Sequence, residues 1–255
     1  MEKNIQHDPE YSIVVLCYGA GDSIPDFVES MTRMLLQNSI HDYQLVLVGN
    51  YLENKRIDQT ARIVLELAKK NLRIISVVEK KDGMMGWDMR SGLAAATGKY
   101  ISVIDGDGQM PIEDLVRVYQ KIKNENYDLV KTVRTTRGDG VWRKFVSSAF
   151  NGLFRLLFPL VRAEDINSKP KVFTRAAYKR FDLRSDDWFI DAEIMIQASN
   201  LELKVGEVPT YFRASEREGG SFINLFTFLE FLKNLIRFRF IQYSSDRKRA
   251  RESQT

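Results

Sequence analysis

Residues 100–110 read Tyr100-Ile101-Ser102-Val103-Ile104-Asp105-Gly106-Asp107-Gly108-Gln109-Met110, and this stretch fixes the expected fold. Its first half is short, apolar and rich in β-branched residues, which is typical of a strand buried in a parallel sheet. The run ends in two aspartates separated by one glycine. Pro111 suits the first turn of a following helix. This order places both carboxylates at the carboxyl end of a strand, where open α/β sheets bind ligands.

These side chains also predict a metal site. If the backbone stays extended, Asp105, Asp107 and Gln109 project to the same side of the strand. Two carboxylates and an amide oxygen are hard ligands of the kind that Mg²⁺ or Mn²⁺ prefers. The glycines between them leave room for a bulky substrate against the backbone. The alternative is ordinary turn chemistry, for which Asp-Gly-Asp-Gly is equally typical.

Strand-like and helix-like segments alternate on both sides of this stretch. Strands are predicted at residues 11–17, 44–48, 72–78, 100–104, 127–133, 171–174 and 205–212. Helices are predicted at residues 24–37, 57–70, 83–97, 112–124 and 187–199. We therefore expect an α/β, Rossmann-like, mostly parallel sheet flanked by helices. One domain is expected at residues 1–221, followed by an amphipathic helix and a basic tail at residues 222–255.

Composition narrows the function classes. The 255 residues include one cysteine and two histidines, which exclude an intramolecular disulfide and give little support to zinc or His-based catalysis. The net charge is +4. Six basic and two acidic residues occur from Arg237 onward, so the first 236 residues have no net charge. This argues against a broad nucleic-acid-binding face. Residues 1–10 are polar, so no signal peptide is expected, and no uncharged run is long enough for a transmembrane helix.

The segment at residues 90–101, running into Asp105-Gly106-Asp107-Gly108-Gln109-Met110-Pro111, resembles family 2 glycosyltransferases of the GT-A fold. The likeness is greatest to the dolichyl- or polyprenyl-phosphate sugar synthases. It implies that Asp105, Asp107 and Gln109 hold a Mg²⁺ or Mn²⁺ ion against the diphosphate of a nucleotide-sugar donor. It also implies donor-binding roles for further residues, namely Tyr18, Asn50, Asp82 and Arg90 together with Asp105 and Asp107. Asn50 stands where the family usually has an aspartate, and the first loop also departs from the family's pattern.

On the acceptor side, the resemblance implies that Arg134, Arg143 and Ser147 bind a lipid phosphate. Two guanidinium groups and a hydroxyl suit that ligand, since arginine binds phosphate oxygens bidentately. For Arg143, a solvated surface position is the alternative. Arg217, in a loop ending at Ser221, would balance the charge of the diphosphate.

The catalytic candidates are therefore Arg217, the proposed cation ligand Asp107, and Asp191. Asp191 would act as a base or contact the donor sugar, whereas Asp187 is expected to cap the following helix.

The C-terminal region suggests membrane contact without a span. Residues 222–243 are dense in Phe and Leu, with Glu230, Lys233, Asn234 and Arg237 on one helical face. Together with the basic residues 247–251, this composition is typical of an interfacial helix on an anionic membrane. The alternative is a helix that packs on the domain or on a partner subunit. Residues 145–161 are a second candidate for the lipid-facing side.

The predicted function is inverting, metal-dependent sugar transfer from a nucleotide-diphosphate sugar to a polyprenyl- or dolichyl-phosphate acceptor. The predicted location is cytoplasmic, peripheral on the inner face of a membrane. Such an acceptor is already anionic near neutral pH, so no general base is needed. One alternative is transfer to a glycan hydroxyl, for which Asp191 or Asp187 would have to act as base. The other is a catalytically degenerate relative that serves as a partner subunit.

Overall fold

The structure is a computed structural model that describes residues 8–53, 59–137, 152–161, 163–212 and 233–242. Strands and helices alternate through the first half of the chain, as predicted. The strands there are β1 (Tyr11–Leu16), β2 (Tyr43–Val48), β3 (Ile74–Val77), β4 (Tyr100–Asp105) and β5 (Leu129–Arg137). The helices between them are α1 (Ile24–Gln37), α2 (Thr60–Lys70), α3 (Met85–Ala95) and α4 (Glu113–Asn124).

The second half of the chain completes the sheet. Its elements are α5 (residues 152–157), β6 (Lys171–Thr174), α6 (Arg175–Tyr178), α7 (Ile190–Asn200) and β7 (Val205–Phe212). Within the described ranges the strands form one sheet in the order β3-β2-β1-β4-β6-β5-β7. Neighbouring strands are parallel except at β6, which is antiparallel to both β4 and β5. The predicted mostly parallel α/β sheet is therefore confirmed.

Helices cover both faces of this sheet. Ile13 and Val15 of β1 belong to the core beneath α1, α2 and α4, whereas Val14 and Leu16 belong to the core beneath α3 and α7. Alternate residues of one strand thus enter two separate cores, which explains why the central strands are apolar without interruption. On the second face α3 packs very closely. A Cβ at its Gly92 would lie 2.4 Å from Cγ1 of Val14, so this approach requires glycine.

Several predicted boundaries shift by a few residues. The strand predicted at residues 72–78 is shorter, because Leu72 is 98% exposed and precedes it. The helix predicted at residues 83–97 is confined to Met85–Ala95. The capping role predicted for Asp187 is wrong. The N-cap residue of α7 is Phe189, whose side chain makes no capping hydrogen bond. The Asp187 carboxylate instead accepts a hydrogen bond from the Phe189 N–H at 2.7 Å, in the turn that leads into the helix.

The described part of the C-terminal region, residues 233–242, is helical and packs on the domain. Leu235 and Phe238 are buried in the core beneath α3 and α7. The ring of Phe238 lies 5.1 Å from that of Phe189 and 6.5 Å from that of Phe158. The predicted packing alternative therefore holds for this face of the segment. In the ranges that the structure describes, no helix has the length and apolar character needed to cross a bilayer.

Candidate active site

The carboxylates predicted to bind a metal lie at the carboxyl end of β4, as expected. Asp105 is the last residue of the strand and is about one-third exposed, Asp107 is exposed, and Gln109 is half-buried. The extended backbone assumed for all three is wrong beyond Asp105. The Asp107 carboxylate accepts a hydrogen bond from the Gln109 N–H at 3.0 Å, and Gly108 has a φ of +72°, so the chain turns here.

This turn keeps the three oxygen-bearing side chains within one short segment at the sheet edge. Gly106 donates its N–H to the Leu16 carbonyl at 2.9 Å, which ties the turn to the end of β1. Within the described residues, no three His, Cys, Asp or Glu side chains are placed to hold a metal ion together. Asp105 and Asp107 supply two such ligands, and a third would have to be the Gln109 amide oxygen. The donor set is chemically suited to a hard divalent cation.

Behind Asp105 lies a buried chain of alternating charges. The Lys169 ammonium contacts the Asp105 carboxylate at 3.2 Å and the Asp191 carboxylate at 3.1 Å. The second oxygen of Asp191 accepts a hydrogen bond from Lys171 at 2.5 Å. Lys169, Lys171 and Asp191 are each at most 4% exposed. An unpaired ion would be very costly at such positions, so the pairs are what make these charges tolerable.

The direction of each pKa shift follows from this enclosure. Burial opposes the charged form of Lys169, but the carboxylates of Asp105 and Asp191 outweigh it and raise the pKa of Lys169. Burial likewise opposes ionisation of Asp191, but the two ammonium groups hold its pKa below the ordinary value. For Lys171 burial prevails, and its pKa falls to about 8. Asp191 is therefore an ionised counter-ion, enclosed by two lysines and 1% exposed.

The pairing of β6 with β4 brings the segment that contains Lys169 to the site. In the antiparallel pair of β4 and β6, Val103 lies opposite Lys171. Lys169 lies just before β6, and its ammonium reaches the Asp105 carboxylate at 3.2 Å. The reversed strand thus delivers its amino end, with both lysines, to the carboxyl end of β4. One residue, Pro170, separates Lys169 from Lys171, and both ammonium groups contact the Asp191 carboxylate.

A second polar cluster lies at the end of β2, where donor contacts were predicted. Asn50 is 1% exposed and donates to the Asp88 carboxylate at 2.9 Å and to the Ser91 hydroxyl at 3.0 Å. Its amide oxygen accepts a hydrogen bond from the Glu79 N–H at 2.8 Å. The buried ammonium of Lys81 pairs with Asp88 at 2.6 Å.

The charge that Asn50 lacks is therefore present nearby, on α3. Burial raises the pKa of Asp88, although hydrogen bonds from Lys81 and Asn50 oppose the shift. Tyr18, 40% exposed on the first loop, places its ring 4.1 Å from the Lys81 ammonium. Tyr18 and Asn50 consequently belong to one neighbourhood. Their donor-binding roles remain predictions.

The other predicted donor and acceptor residues are more widely placed. Asp82 is exposed just before α3, and Arg90 on α3 pairs with Asp186. Arg134 on β5 makes a two-pronged pair with Asp165, donating from Nε at 2.6 Å and from Nη2 at 2.5 Å. The predicted phosphate ligand thus has a carboxylate that orients it. Three further predicted site residues lie outside the described residues, namely Arg143, Ser147 and Arg217.

The family resemblance relates residues 165–171 to the segment that lines the acceptor pocket, but sequence reasoning gave the individual supporting residues there, and Asp88, no role. Lys169 and Lys171 flank a proline at the start of a short apolar strand, and two lysines in such a run indicate buried, paired charges. Asp88 breaks the apolar face of α3, which was a comparable signal. Asp165 gave no such signal, because its partner Arg134 is 31 residues away in sequence.

Comparisons with known proteins agree with this geometry. The chain is 28% identical to an undecaprenyl-phosphate 4-deoxy-4-formamido-L-arabinose transferase of Klebsiella pneumoniae (strain 342) over 145 residues, 56% of this chain and 42% of that protein. It is 23% identical to a dolichyl-phosphate beta-glucosyltransferase of Dictyostelium discoideum over 244 residues, 90% of this chain and 73% of that protein. The match to the first relative therefore spans less than half of that protein's length.

Among solved structures, glucosyl-3-phosphoglycerate synthase from Mycobacterium tuberculosis, in complex with Mn²⁺, uridine-diphosphate and phosphoglyceric acid, superposes with a TM-score of 0.69. The match covers 91% of this chain and 78% of that one at 16% identity, and the structural superposition shows that the two chains share the GT-A fold. In sequence, the profile described as Glycosyl transferase family 2 matches residues 12–185. Since this match covers more than half of the chain, the protein belongs to glycosyl transferase family 2.

Proposed function

We propose that this protein transfers a sugar from a nucleotide-diphosphate sugar to a lipid phosphate of the polyprenyl or dolichyl class, with the help of Mg²⁺ or Mn²⁺. The observation that carries the proposal is the trio Asp105, Asp107 and Gln109 at the carboxyl end of β4 in a family 2 chain. The acceptor class is supported by the two relatives named for undecaprenyl-phosphate and dolichyl-phosphate transfer.

In this mechanism, Asp105, Asp107 and Gln109 would hold a divalent cation, which when bound supplies positive charge against the departing diphosphate. Arg217 would add a second positive charge at the same leaving group. Arg134, oriented by Asp165, would position the acceptor together with Arg143 and Ser147. A phosphate oxygen attacks the anomeric carbon as the bond to the diphosphate breaks, with inversion of configuration. Catalysis is then mainly positioning and charge stabilisation.

The enclosure of Asp191 favours a phosphate acceptor over a hydroxyl acceptor. A hydroxyl must lose a proton, and a carboxylate base has to reach it. Asp191 is 1% exposed, and both of its oxygens contact lysine ammonium groups. A lipid phosphate is already anionic near neutral pH, so its transfer requires no such base.

A peripheral position on a membrane would bring the site to its lipid substrate. Leu156 and Leu160, which follow one another by four residues, are 76% and 58% exposed. Ile236 and Phe240 in the C-terminal segment are 45% and 70% exposed. Both segments bury their other face in the same core. We propose that these outward apolar side chains, with the basic tail, contact an anionic bilayer on its cytoplasmic side.

A donor screen tests the proposed reaction. UDP- and GDP-sugars labelled in the sugar are incubated with the protein, Mn²⁺ and a polyprenyl phosphate, and label is followed into the organic phase. We expect metal-dependent, organic-soluble product with at least one donor. Label transferred only to a glycan would support the hydroxyl-acceptor alternative. Absence of binding to every donor in parallel calorimetry would support a catalytically degenerate subunit.

A further inference from the structure

Lys169 stands in an unusual relation to the proposed cation ligand Asp105. Its ammonium contacts the Asp105 carboxylate at 3.2 Å, the Asp191 carboxylate at 3.1 Å and the Met85 sulfur at 3.3 Å. An ammonium has three N–H groups, so these contacts occupy its donor capacity. With a residue exposure of 4%, Lys169 lies behind Asp105 rather than in the open part of the site. It therefore acts through Asp105 and is a positioning residue.

The two lysines, Lys169 and Lys171, and the two aspartates, Asp105 and Asp191, have a net charge of zero. Asp191 accepts from Lys171 at 2.5 Å as well as from Lys169, so Lys171 already balances it. The charge of Lys169 remains, and it is matched by Asp105. A carboxylate whose charge is neutralised by a fixed ammonium attracts a second cation less strongly, and a divalent ion close by is itself repelled by that ammonium.

We propose that Lys169 weakens the binding of free divalent cation at Asp105, so that cation and nucleotide diphosphate bind as a coupled pair. The diphosphate brings the negative charge that Lys169 has neutralised. Neither partner then binds strongly alone, the opposite charges of cation and diphosphate couple their binding, and linkage makes this coupling reciprocal. This inference rests on the proposed function, because it takes Asp105 as a cation ligand.

The charge balance also selects the test variant. In Lys169→Met, the Asp191–Lys171 pair stays balanced, and Asp105 is exposed enough to remain solvated. Methionine fills the space of the unbranched apolar stem of lysine without its charge. Lys131→Met is the matched control, because Lys131 is also fully buried but its ammonium contacts Glu207 and the carbonyl oxygens of Thr132 and Glu164.

The experiment is a Mn²⁺ titration of the full chain, followed by electron paramagnetic resonance of the free ion, without and with UDP. Without nucleotide, we expect Lys169→Met to bind Mn²⁺ about tenfold more tightly than the wild type, the effect of one nearby charge. UDP should tighten Mn²⁺ binding about tenfold or more in the wild type and less in Lys169→Met. Lys131→Met should match the wild type in both titrations.

The direction in which Lys169→Met changes Mn²⁺ affinity separates this role from a structural one. A residue needed only for packing would lower the melting temperature and leave Mn²⁺ affinity equal or weaker, which would overturn the proposal. If Lys169→Met does not fold, the wild type decides: Mn²⁺ affinity independent of UDP overturns the coupling. Absence of Mn²⁺ binding in every protein, with or without UDP, would overturn the metal site itself. Normal coupling without any sugar transfer would overturn the proposed reaction alone.

Discussion

The amide of Asn50 at the end of β2 donates a hydrogen bond to the carboxylate of Asp88 on α3 at 2.9 Å, and both residues are buried. The family resemblance predicts an aspartate at the position of Asn50. In this chain an acidic group is present across the interface on the helix, with the Lys81 ammonium 2.6 Å from it. The polarity of the contact is thus fixed, with the amide as donor and the carboxylate as acceptor.

Restoring the family's residue by Asn50→Asp should therefore destabilise the protein. Two buried carboxylates would face each other where a donor is needed, and we expect a loss of about 2 kcal/mol in the free energy of unfolding. Repulsion raises the carboxyl pKa values in the folded state, so the loss should grow as pH rises and both groups ionise. Urea unfolding at pH 5 and pH 8 measures this.

Two further variants separate charge from hydrogen bonding at this position. Asn50→Ala removes the same donors without adding charge, so its loss should vary little with pH. The exchange variant Asn50→Asp with Asp88→Asn restores one donor facing one acceptor and should recover about half of the loss. An Asn50→Asp protein as stable as the wild type at pH 8 would contradict the arrangement.

Asp191 should matter for stability more than its position near the site suggests. In Asp191→Asn, Lys169 keeps its contact with the Asp105 carboxylate, whereas the buried ammonium of Lys171 loses the carboxylate it contacts, and we expect a loss of about 3–5 kcal/mol in the free energy of unfolding at pH 7. The pKa of Asp191 lies below its ordinary value of 3.8, so its contribution is present above that pH and is lost as pH falls further. The gap between wild type and variant should accordingly narrow below pH 3.8.

Chemical unfolding across this pH range measures the effect. Asp182→Asn is the matched control, because the Asp182 side chain is 64% exposed, and it should change stability by less than about 0.5 kcal/mol. Removing one ammonium as well, in Asp191→Asn with Lys171→Met, should return part of the loss. If Asp191→Asn leaves the free energy of unfolding unchanged, the buried chain of ion pairs is not formed.

Much of this site follows from sequence, and the remainder depends on long-range pairing. The alternation of strands and helices, and the carboxylates after β4, are local patterns that sequence expresses directly. The antiparallel insertion of β6 is not local, since residue 171 pairs with residue 103. Lys169 could therefore not be assigned to Asp105 in advance. The turn at Gly108 was predicted only as the alternative to an extended backbone, and it forms because the Asp107 carboxylate accepts the Gln109 N–H.

Arg134 offers a test of the acceptor site. Arg134→Lys keeps the charge but loses the planar, two-pronged geometry seen with Asp165. We expect the KM for polyprenyl phosphate to rise roughly tenfold, with little change in the KM for the donor. Arg180→Lys, at a residue that donates to the Leu201 carbonyl, serves as the matched control. An unchanged acceptor KM in Arg134→Lys would remove Arg134 from the acceptor site.

The proposed membrane surface predicts lipid binding that depends on exposed apolar side chains. Leu156→Ser combined with Phe240→Ser should weaken co-sedimentation with vesicles that contain anionic lipid, by about tenfold if the two side chains enter the interface. Leu72→Ser is the control, since Leu72 is 98% exposed in the turn before β3. Equal vesicle binding by all three proteins would assign the exposed side chains another role.

The central claim is that the end of β4 holds a cation for the donor diphosphate, and one measurement addresses it most directly. Calorimetric titration of UDP in the presence of Mn²⁺ is compared for the wild type and for Asp105→Asn combined with Asp107→Asn. The account predicts saturable binding by the wild type and a loss of about a hundredfold or more in the double variant. Equal UDP affinity in the two proteins, each dependent on Mn²⁺, would contradict it.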